Sequence, residues 1–395
     1  APARRAVPTP AAPTRAAHTG RYARPQPASR VRISAMSPAP SSDPPFRAIA
    51  DLIREHARAR PQRAALVQGD AQLDYAALDR LMDRVAASLQ RDGLVPGRDA
   101  IAICAQASPR HAALFLGALR AGIAVAPLAP SVTPQSFASM LRDAAPRWLF
   151  ADSAALDALG NEAPAVPCIA LDAHAPGRAF DTWLLAEGAT PAPVAVRPEW
   201  PFNIIYSSGT TGTPKGIVQS HGMRWSHVDR GSTYGYGPDA VTILATPLYS
   251  NTTLVVFFPT LAYGGTVVLM PKFGAADYLE LAERHHATHT MLVPVQYQRI
   301  MASPEFERHD LASFRYKFCT SAPFAAALKA DVVERWPGGL IEFYGMTEGG
   351  GTCILAAHEH PTKLHTVGQP APGHDIRLID DEGRELPSGE TGEVV

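Results

Sequence analysis

With 395 residues, 46% of them hydrophobic and 18% charged, the chain can bury a large core and is long enough for two or three packed units. No window approaches the roughly 18 consecutive apolar residues of a membrane-spanning helix, because charges and prolines interrupt every apolar run. The formal net charge of −1 hides an asymmetry: residues 1–45 carry seven Arg and one Asp, whereas the remainder has 29 basic against 36 acidic residues. That mildly acidic body argues against nucleic acid as a partner.

Residues 1–45 also hold ten prolines and little apolar content beyond alanine. They cannot bury enough surface to offset their ordering entropy, so the sequence predicts a disordered tail. Its Arg-rich, acid-poor character suits a transit peptide, but Pro2, Pro8, Pro10 and Pro13 break the amphipathic helix such a signal needs. An upstream extension ahead of a start at Met36 fits equally well.

From Phe46 onward, short apolar runs alternate with helical periodicity, the pattern of an α/β protein. A strand is expected at 64–67, a turn at Gly69-Asp70, and then a helix capped by Asp74 whose Tyr75, Leu78, Met82, Val85 and Leu89 recur at three and four. A buried strand at 100–104 precedes Ser108-Pro109, an N-cap followed by the proline favoured at the first helical position. Further strands are predicted at 123–127, 147–151, 166–170, 203–206, 241–246, 266–270, 289–293, 315–319 and 340–344, with helices near 134–143, 221–231, 275–286 and 324–336. That many units require two sheets. After Gly368 the pattern turns to alternation around an Asp380-Asp381-Glu382-Gly383 turn. This predicts a β-rich unit over 366–395 whose last strand, Gly392 to Val395, is left unpaired. Cys104, Cys168, Cys319 and Cys353 lie far apart without a C-x-x-C pair, which predicts structural thiols in a reducing, cytoplasmic compartment.

The strongest local signal is Tyr206-Ser207-Ser208-Gly209-Thr210-Thr211-Gly212-Thr213-Pro214-Lys215-Gly216, directly after the apolar run from Phe202. Its glycines let backbone N–H groups turn inward, its hydroxyls add donors and Lys215 adds a cation, so the loop can wrap a polyphosphate. Pro214 before the Lys and Gly216 after it exclude a Walker A loop, which needs Gly and Ser or Thr there. We expect the loop to join a strand to a helix.

This run resembles the phosphate-binding signature of the adenylate-forming superfamily, which includes acyl-CoA ligases, luciferases and peptide-synthetase adenylation domains. A second signature of that superfamily follows about 130 residues later at Phe343-Tyr344-Gly345-Met346-Thr347-Glu348. Weaker matches run over residues 46–395: Asp74-Tyr75, Gly117 to Pro127, Ser321-Ala322-Pro323, Gly368-Gln369-Pro370 and Gly389 to Glu393. The resemblance implies that Ser207, Ser208, Gly209, Thr210, Thr211, Gly212 and Lys215 hold the β- and γ-phosphates of ATP. It further implies Tyr344 and Gly345 at the adenine, Thr347 at the α-phosphate and Glu348 on Mg²⁺. Physically, such a reaction needs a cation for the leaving pyrophosphate, a carboxylate for Mg²⁺ and donors for the pentacoordinate phosphoryl group.

The segment Pro247 to Thr253 sits where relatives line the acyl pocket, and Ser250 stands where many acyl-CoA ligases place a His. Amino-acid-activating relatives keep an Asp in this region for the substrate ammonium, and no Asp occurs between Ala240 and Lys272. A fatty, cyclic or aromatic acid is therefore expected, with Tyr249, Ser250, Asn251, Val293, Pro294, Ser321 and Ala322 as pocket candidates. Two histidine groups, His285-His286 with His289, and His358, His360 and His365, lack a rigid scaffold for a metal and read as solvated.

The resemblance implies two packed α/β sheets with helices between and outside them over 46–365, and over 366–395 the start of a smaller β-barrel. It implies an acid-thiol ligase using ATP, Mg²⁺ and coenzyme A, and it leaves the oligomeric state open, a homodimer included. Complete relatives carry a ribose-binding Asp, a hinge and a mobile C-terminal domain with a reactive Lys, and none of these has a counterpart here. The sequence reading is thus an incomplete, weakly active or inactive ligase chain. The alternative is a nucleotide- or acyl-binding remnant without catalytic activity.

Overall fold

The computed structural model describes residues 45–159, 166–207, 214–348 and 352–395. The expectations for residues 1–44 and for Ser208 to Gly212 lie outside them. In chain order the strands are β1 (Ala64–Gln68), β2 (Ala71–Asp74), β3 (Ala100–Cys104), β4 (Ala124–Pro127), β5 (Leu149–Ala151), β6 (Cys168–Ala170), β7 (Arg178–Ala179), β8 (Pro201–Ser207), β9 (Lys215–Ser220), β10 (Val241–Leu244), β11 (Thr266–Leu269), β12 (His289–Leu292), β13 (Tyr316–Cys319), β14 (Gly339–Tyr344), β15 (Cys353–Ala356), β16 (Gln369–Pro370), β17 (Leu378–Ile379) and β18 (Glu393–Val394). They form a nine-stranded sheet in the order β16-β15-β14-β13-β12-β10-β11-β1-β2 and a seven-stranded sheet in the order β7-β6-β5-β3-β4-β8-β9. Both are parallel in their interior and gain antiparallel strands at the edges.

The period-two alternation of the strands feeds three cores. Ile101 and Ile103 face one side of the seven-stranded sheet, and Leu244, Val267 and Leu269 face one side of the nine-stranded sheet, all within one central cluster. The helices Ile49–Ala59, Tyr75–Arg91, Pro109–Arg120 and Asn251–Ala262 contribute their buried faces to that same cluster, so they form the layer between the sheets. Phe115, Phe202 and Phe258, from two of those helices and β8, meet there at centroid distances of 4.9 to 6.3 Å. The alternate residues Ala102 and Cys104 pack with Phe137 and Met140 outside one sheet, and Ile243 and Val268 pack with Tyr278 and Tyr297 outside the other. Helix crossing is close where a Cβ on Gly117 would come within 2.6 Å of Val85. Arg120 ties three helices together, bonding Asp79 at 2.5 Å and Asp83 at 2.9 Å, with Arg54 on the same Asp83.

Local signals act as read. Asp74 Oδ1 accepts from Ala77 N at 2.7 Å, and Ser108 caps its helix with Pro109 at the first turn. Three expectations are corrected. The phosphate-loop segment does not lead into a helix: it joins β8 to β9, an antiparallel pair with Ser207 opposite Lys215. This hairpin approaches the helix Pro134–Ala144 closely at Gly216, where a Cβ would lie 2.6 Å from Asp143 Oδ2 and would make that carboxylate shift. The terminal strand is paired, since β18 runs antiparallel to β17 and Arg377 and Val395 exchange two backbone bonds of 3.0 Å. Finally, the segment after residue 365 forms no closed barrel among the described residues: Gln369–Pro370 extend the nine-stranded sheet and β17-β18 stand as a two-stranded pair. No described helix is long and apolar enough to cross a membrane.

Candidate active site

Strands β10, β12, β13 and β14 are parallel neighbours, so the loops after them emerge along one edge of the sheet. Ligands in open α/β sheets bind at that carboxyl edge. The segments singled out in the sequence follow these four strands in turn: Tyr249 to Asn251, Val293-Pro294, Ser321-Ala322 and Gly345 to Glu348. A cavity of about 770 Å³ opens there, and Asn251, Ser321, Gly345, Thr347 and Glu348 line it. Tyr249, Ser250, Val293, Pro294, Ala322, Tyr344 and Lys215 are outside its lining. Val293 N is bonded to Gln296 Oε1 at 3.1 Å as the start of the helix Pro294–Met301, and Tyr344 is 45% exposed at the end of β14. Lys215 is exposed at the open end of the β8-β9 hairpin.

Apart from Thr252, Phe343 and Met346, which lie in segments already singled out, the remaining lining comes from residues the sequence reading did not name as site residues. Met223, Val255, Met291, Phe318 and Phe343 supply apolar walls, and Ser226, His227, Arg230, Tyr234, Thr252 and His374 supply polar groups. Burial, reinforced by Arg224 and Arg230, pushes His227 down to about 3, so it faces the cavity as a neutral imidazole. Ser321 holds a left-handed backbone at φ 80° and shares a 2.7 Å hydroxyl contact with Thr252. Non-glycine residues in that region are strained, and such strain clusters at functional sites.

Behind the cavity wall lies a buried polar network. Arg224 is 1% exposed, and its guanidinium donates to Asn203 Oδ1 at 3.1 Å, to Asn251 Oδ1 at 2.6 Å and to Gln219 Oε1. Burial pushes this cation down to about 9, which leaves it charged at neutral pH with amide oxygens as its acceptors. It sits 5.9 and 6.0 Å from the ring centres of Phe202 and Phe258. Gln219 passes the network on by donating from Nε2 to the carbonyl of Thr347 at 2.7 Å. The β8-β9 hairpin of one sheet therefore fixes the turn that follows β14 in the other. The available sequence signal was Asn203, a polar residue inside an otherwise apolar strand.

Of the histidines that read as solvated, His286, His360 and His365 are exposed, whereas His289 is buried and is corrected to a scaffold residue. His289 Nε2 contacts the Tyr234 carbonyl at 2.8 Å and its ring stacks on Tyr236 at 4.1 Å, and His358 Nδ1 contacts Leu340. Glu348 is exposed on the cavity rim, and no ion pair engages it among the described residues.

The sequence profile of the AMP-binding enzyme family matches residues 53–395. The chain is 31% identical over 362 residues to an indoleacetate–CoA ligase of Aromatoleum aromaticum, covering 88% of this chain and 69% of that protein. It is 30% identical to a feruloyl-CoA synthase of an Amycolatopsis species, covering 86% and 67%. Among solved structures, an amide bond synthetase from Marinactinospora thermotolerans superposes with a TM-score of 0.78 at 28% identity, over 88% of this chain and 70% of its own. The chain thus spans about two thirds of the length of these relatives. The two-sheet architecture, the Thr347-Glu348 turn at the carboxyl edge and a profile match over most of the sequence agree, and the chain belongs to the AMP-binding enzyme family of the adenylate-forming superfamily.

Proposed function

We propose that this chain binds ATP and a carboxylic acid side by side and activates the acid as its acyl-AMP, for transfer to the thiol of CoA. One observation carries the reading: the Thr347-Glu348 turn and the Asn251 and Ser321 positions line a single cavity, so nucleotide-contacting and acid-contacting groups share one space. Its volume of about 770 Å³ falls in the range of small-molecule sites. Its aromatic and apolar walls suit an aromatic, cyclic or fatty acid, and Glu348 is the only acid among the lining residues, which disfavours an amino-acid ammonium deeper in the pocket.

The roles follow from the chemistry of each group. Lys215 and the Ser207 end of the hairpin hold the β- and γ-phosphates, and Thr347 donates to the α-phosphate as charge develops there. Gln219 keeps the Thr347 turn in place, so its donors are preorganised. The exposed Glu348 carboxylate has the hard oxygen chemistry that Mg²⁺ takes, with phosphates and water completing the shell. Bound there, the ion would neutralise phosphate charge. The body over 46–365 carries these sites, with the β-rich segment 366–395 as its continuation.

Calorimetric ATP titration tests the reading. Lys215→Ala should weaken binding by about 1.5 to 3 kcal/mol, the loss of one charge-assisted contact. Glu348→Gln should weaken binding far more with Mg²⁺ than without it, because the substitution keeps shape and removes charge. Wild-type affinity in Lys215→Ala, or identical losses of Glu348→Gln with and without Mg²⁺, would reject these assignments.

A further inference from the structure

We propose that the side-chain amide of Asn251 donates to the non-attacking oxygen of the acid's carboxylate, the oxygen that becomes the carbonyl of the acyl-AMP, with Arg224 as the positioning residue that aims this amide. The inference rests on the acyl-AMP reading above and deepens it. Its basis is the direction of one hydrogen bond. Arg224 Nη2 lies 2.6 Å from the end of the Asn251 side chain, and a guanidinium has donors and no acceptor. The atom that Asn251 turns toward Arg224 is therefore Oδ1, because the reversed amide would set two donors against each other. Oδ1 and Nδ2 diverge from one trigonal carbon. With Oδ1 held behind the wall, Nδ2 points away from Arg224, on the side of the cavity that Asn251 lines. No described residue accepts from Nδ2, and the atom is open to the cavity rather than sealed in the core. The amide thus offers a donor to a ligand.

Its place in the cavity identifies the ligand atom it meets. Asn251 opens the helix Asn251–Ala262, and Val255 and Pro259 follow four and eight residues later on the same face, where they too line the cavity. The apolar body of an acid lies along that stripe. Asn251 is also tied to the nucleotide turn: the same Arg224 nitrogen donates to Gln219 Oε1, and Gln219 Nε2 donates to the Thr347 carbonyl at 2.7 Å. A donor between the apolar stripe and the turn assigned to the α-phosphate sits where the carboxylate joins the two. In the reaction one carboxylate oxygen attacks the α-phosphorus, and the bond from that phosphorus to pyrophosphate breaks, its electron pair leaving with pyrophosphate. The other oxygen stays free to accept from Asn251 Nδ2, and holding it orients the attacking one. Arg224 strengthens the donor as well. Its charge has only neutral partners among the described residues, three side-chain amides and the His227 ring, so it draws electron density toward Oδ1 and away from Nδ2–H. Ser250, one residue earlier, is outside the cavity lining and offers no competing hydroxyl.

The test uses two ligands: benzoyl-sulfamoyladenosine, which keeps the acyl carbonyl, and the benzyl ester of AMP, in which a methylene replaces it. Calorimetry titrates each into wild type, Asn251→Ala, Asn251→Asp and Arg224→Met. Asn251→Asp keeps an oxygen for Arg224 and removes the donor, so it separates loss of the donor from loss of the fold. In both Asn251 variants the benzoyl mimic should lose at least about tenfold more affinity than the benzyl ester, as expected for one hydrogen bond left unmade. Arg224→Met should show the same selective loss to a smaller extent, since the amide survives but is no longer aimed. A merely structural Arg224 would weaken both ligands alike. Equal changes for the two ligands in either Asn251 variant, or in Arg224→Met, would overturn the proposal while leaving the acyl-AMP reading intact. Failure of the wild type to bind the benzoyl mimic would overturn both.

Discussion

Replacing Arg224 by Met is the most demanding test of how the site is held. The side chain is buried between Phe202 and Phe258, so Met fills comparable space and the change isolates the guanidinium. Two amide oxygens, Asn203 Oδ1 and Asn251 Oδ1, lose their guanidinium donor, whereas Gln219 Oε1 keeps the 3.0 Å bond from Asn203 Nδ2. Each stranded acceptor costs about 1 to 3 kcal/mol, and removal of a desolvated cation returns part of that sum. The expected loss is about 2 to 4 kcal/mol in urea unfolding, read as a shift in the midpoint at constant m. Gln219 should then hold the Thr347 carbonyl less firmly, so Arg224→Met should also weaken binding of an acyl-AMP mimic. The double variant Arg224→Met with Gln219→Met should lose less than the sum of the singles by at least about 1 kcal/mol, since both break one network. A loss below about 0.5 kcal/mol, or simple additivity, would refute the reasoning.

Two further predictions concern strain and pH. At Ser321, where φ is 80°, Gly should be more stable than Ala by about 1 kcal/mol, because both lose the Thr252 contact and only Ala keeps a Cβ in the left-handed region; chemical denaturation in which Ala equals or exceeds Gly would remove the strain argument. Burial holds His111, His221 and His289 down at about 4 and His227 at about 3, so between pH 6.5 and 4 the unfolded chain binds protons that the folded chain refuses. Their contribution to stability is present above pH 6.5 and lost as pH falls toward 4, at up to about 1.4 kcal/mol per unit for each histidine. Denaturation midpoints that are flat between pH 7 and 5 would contradict this, and His111→Gln should reduce the slope by about one proton.

What the sequence by itself determined was local. The three-and-four spacing from Tyr75 to Leu89, the Asp74 cap and the Ser108-Pro109 start each reside within one continuous segment of chain, and each appears where the pattern puts it. The two signature segments likewise identified the superfamily, because chemistry that needs a particular loop leaves a particular string of residues. Tertiary structure decided the rest. The helix Asn251–Ala262 is apolar on every side, with Pro259 inside it, so it carries no 3.6-residue signal and exists because two sheets enclose it. Lys215–Ser220 became a strand because β8 offers it a ladder, which its own six residues could not announce. Arg224 reads in isolation as a solvated cation, and its burial depends on Asn203, Gln219 and Asn251, brought in by three other segments. The cavity is decided in the same way, since Asn251, Ser321 and Thr347 meet only through the parallel order of β10, β12, β13 and β14. Periodicity is a property of one segment, whereas burial and pairing are properties of the partners that segment finds.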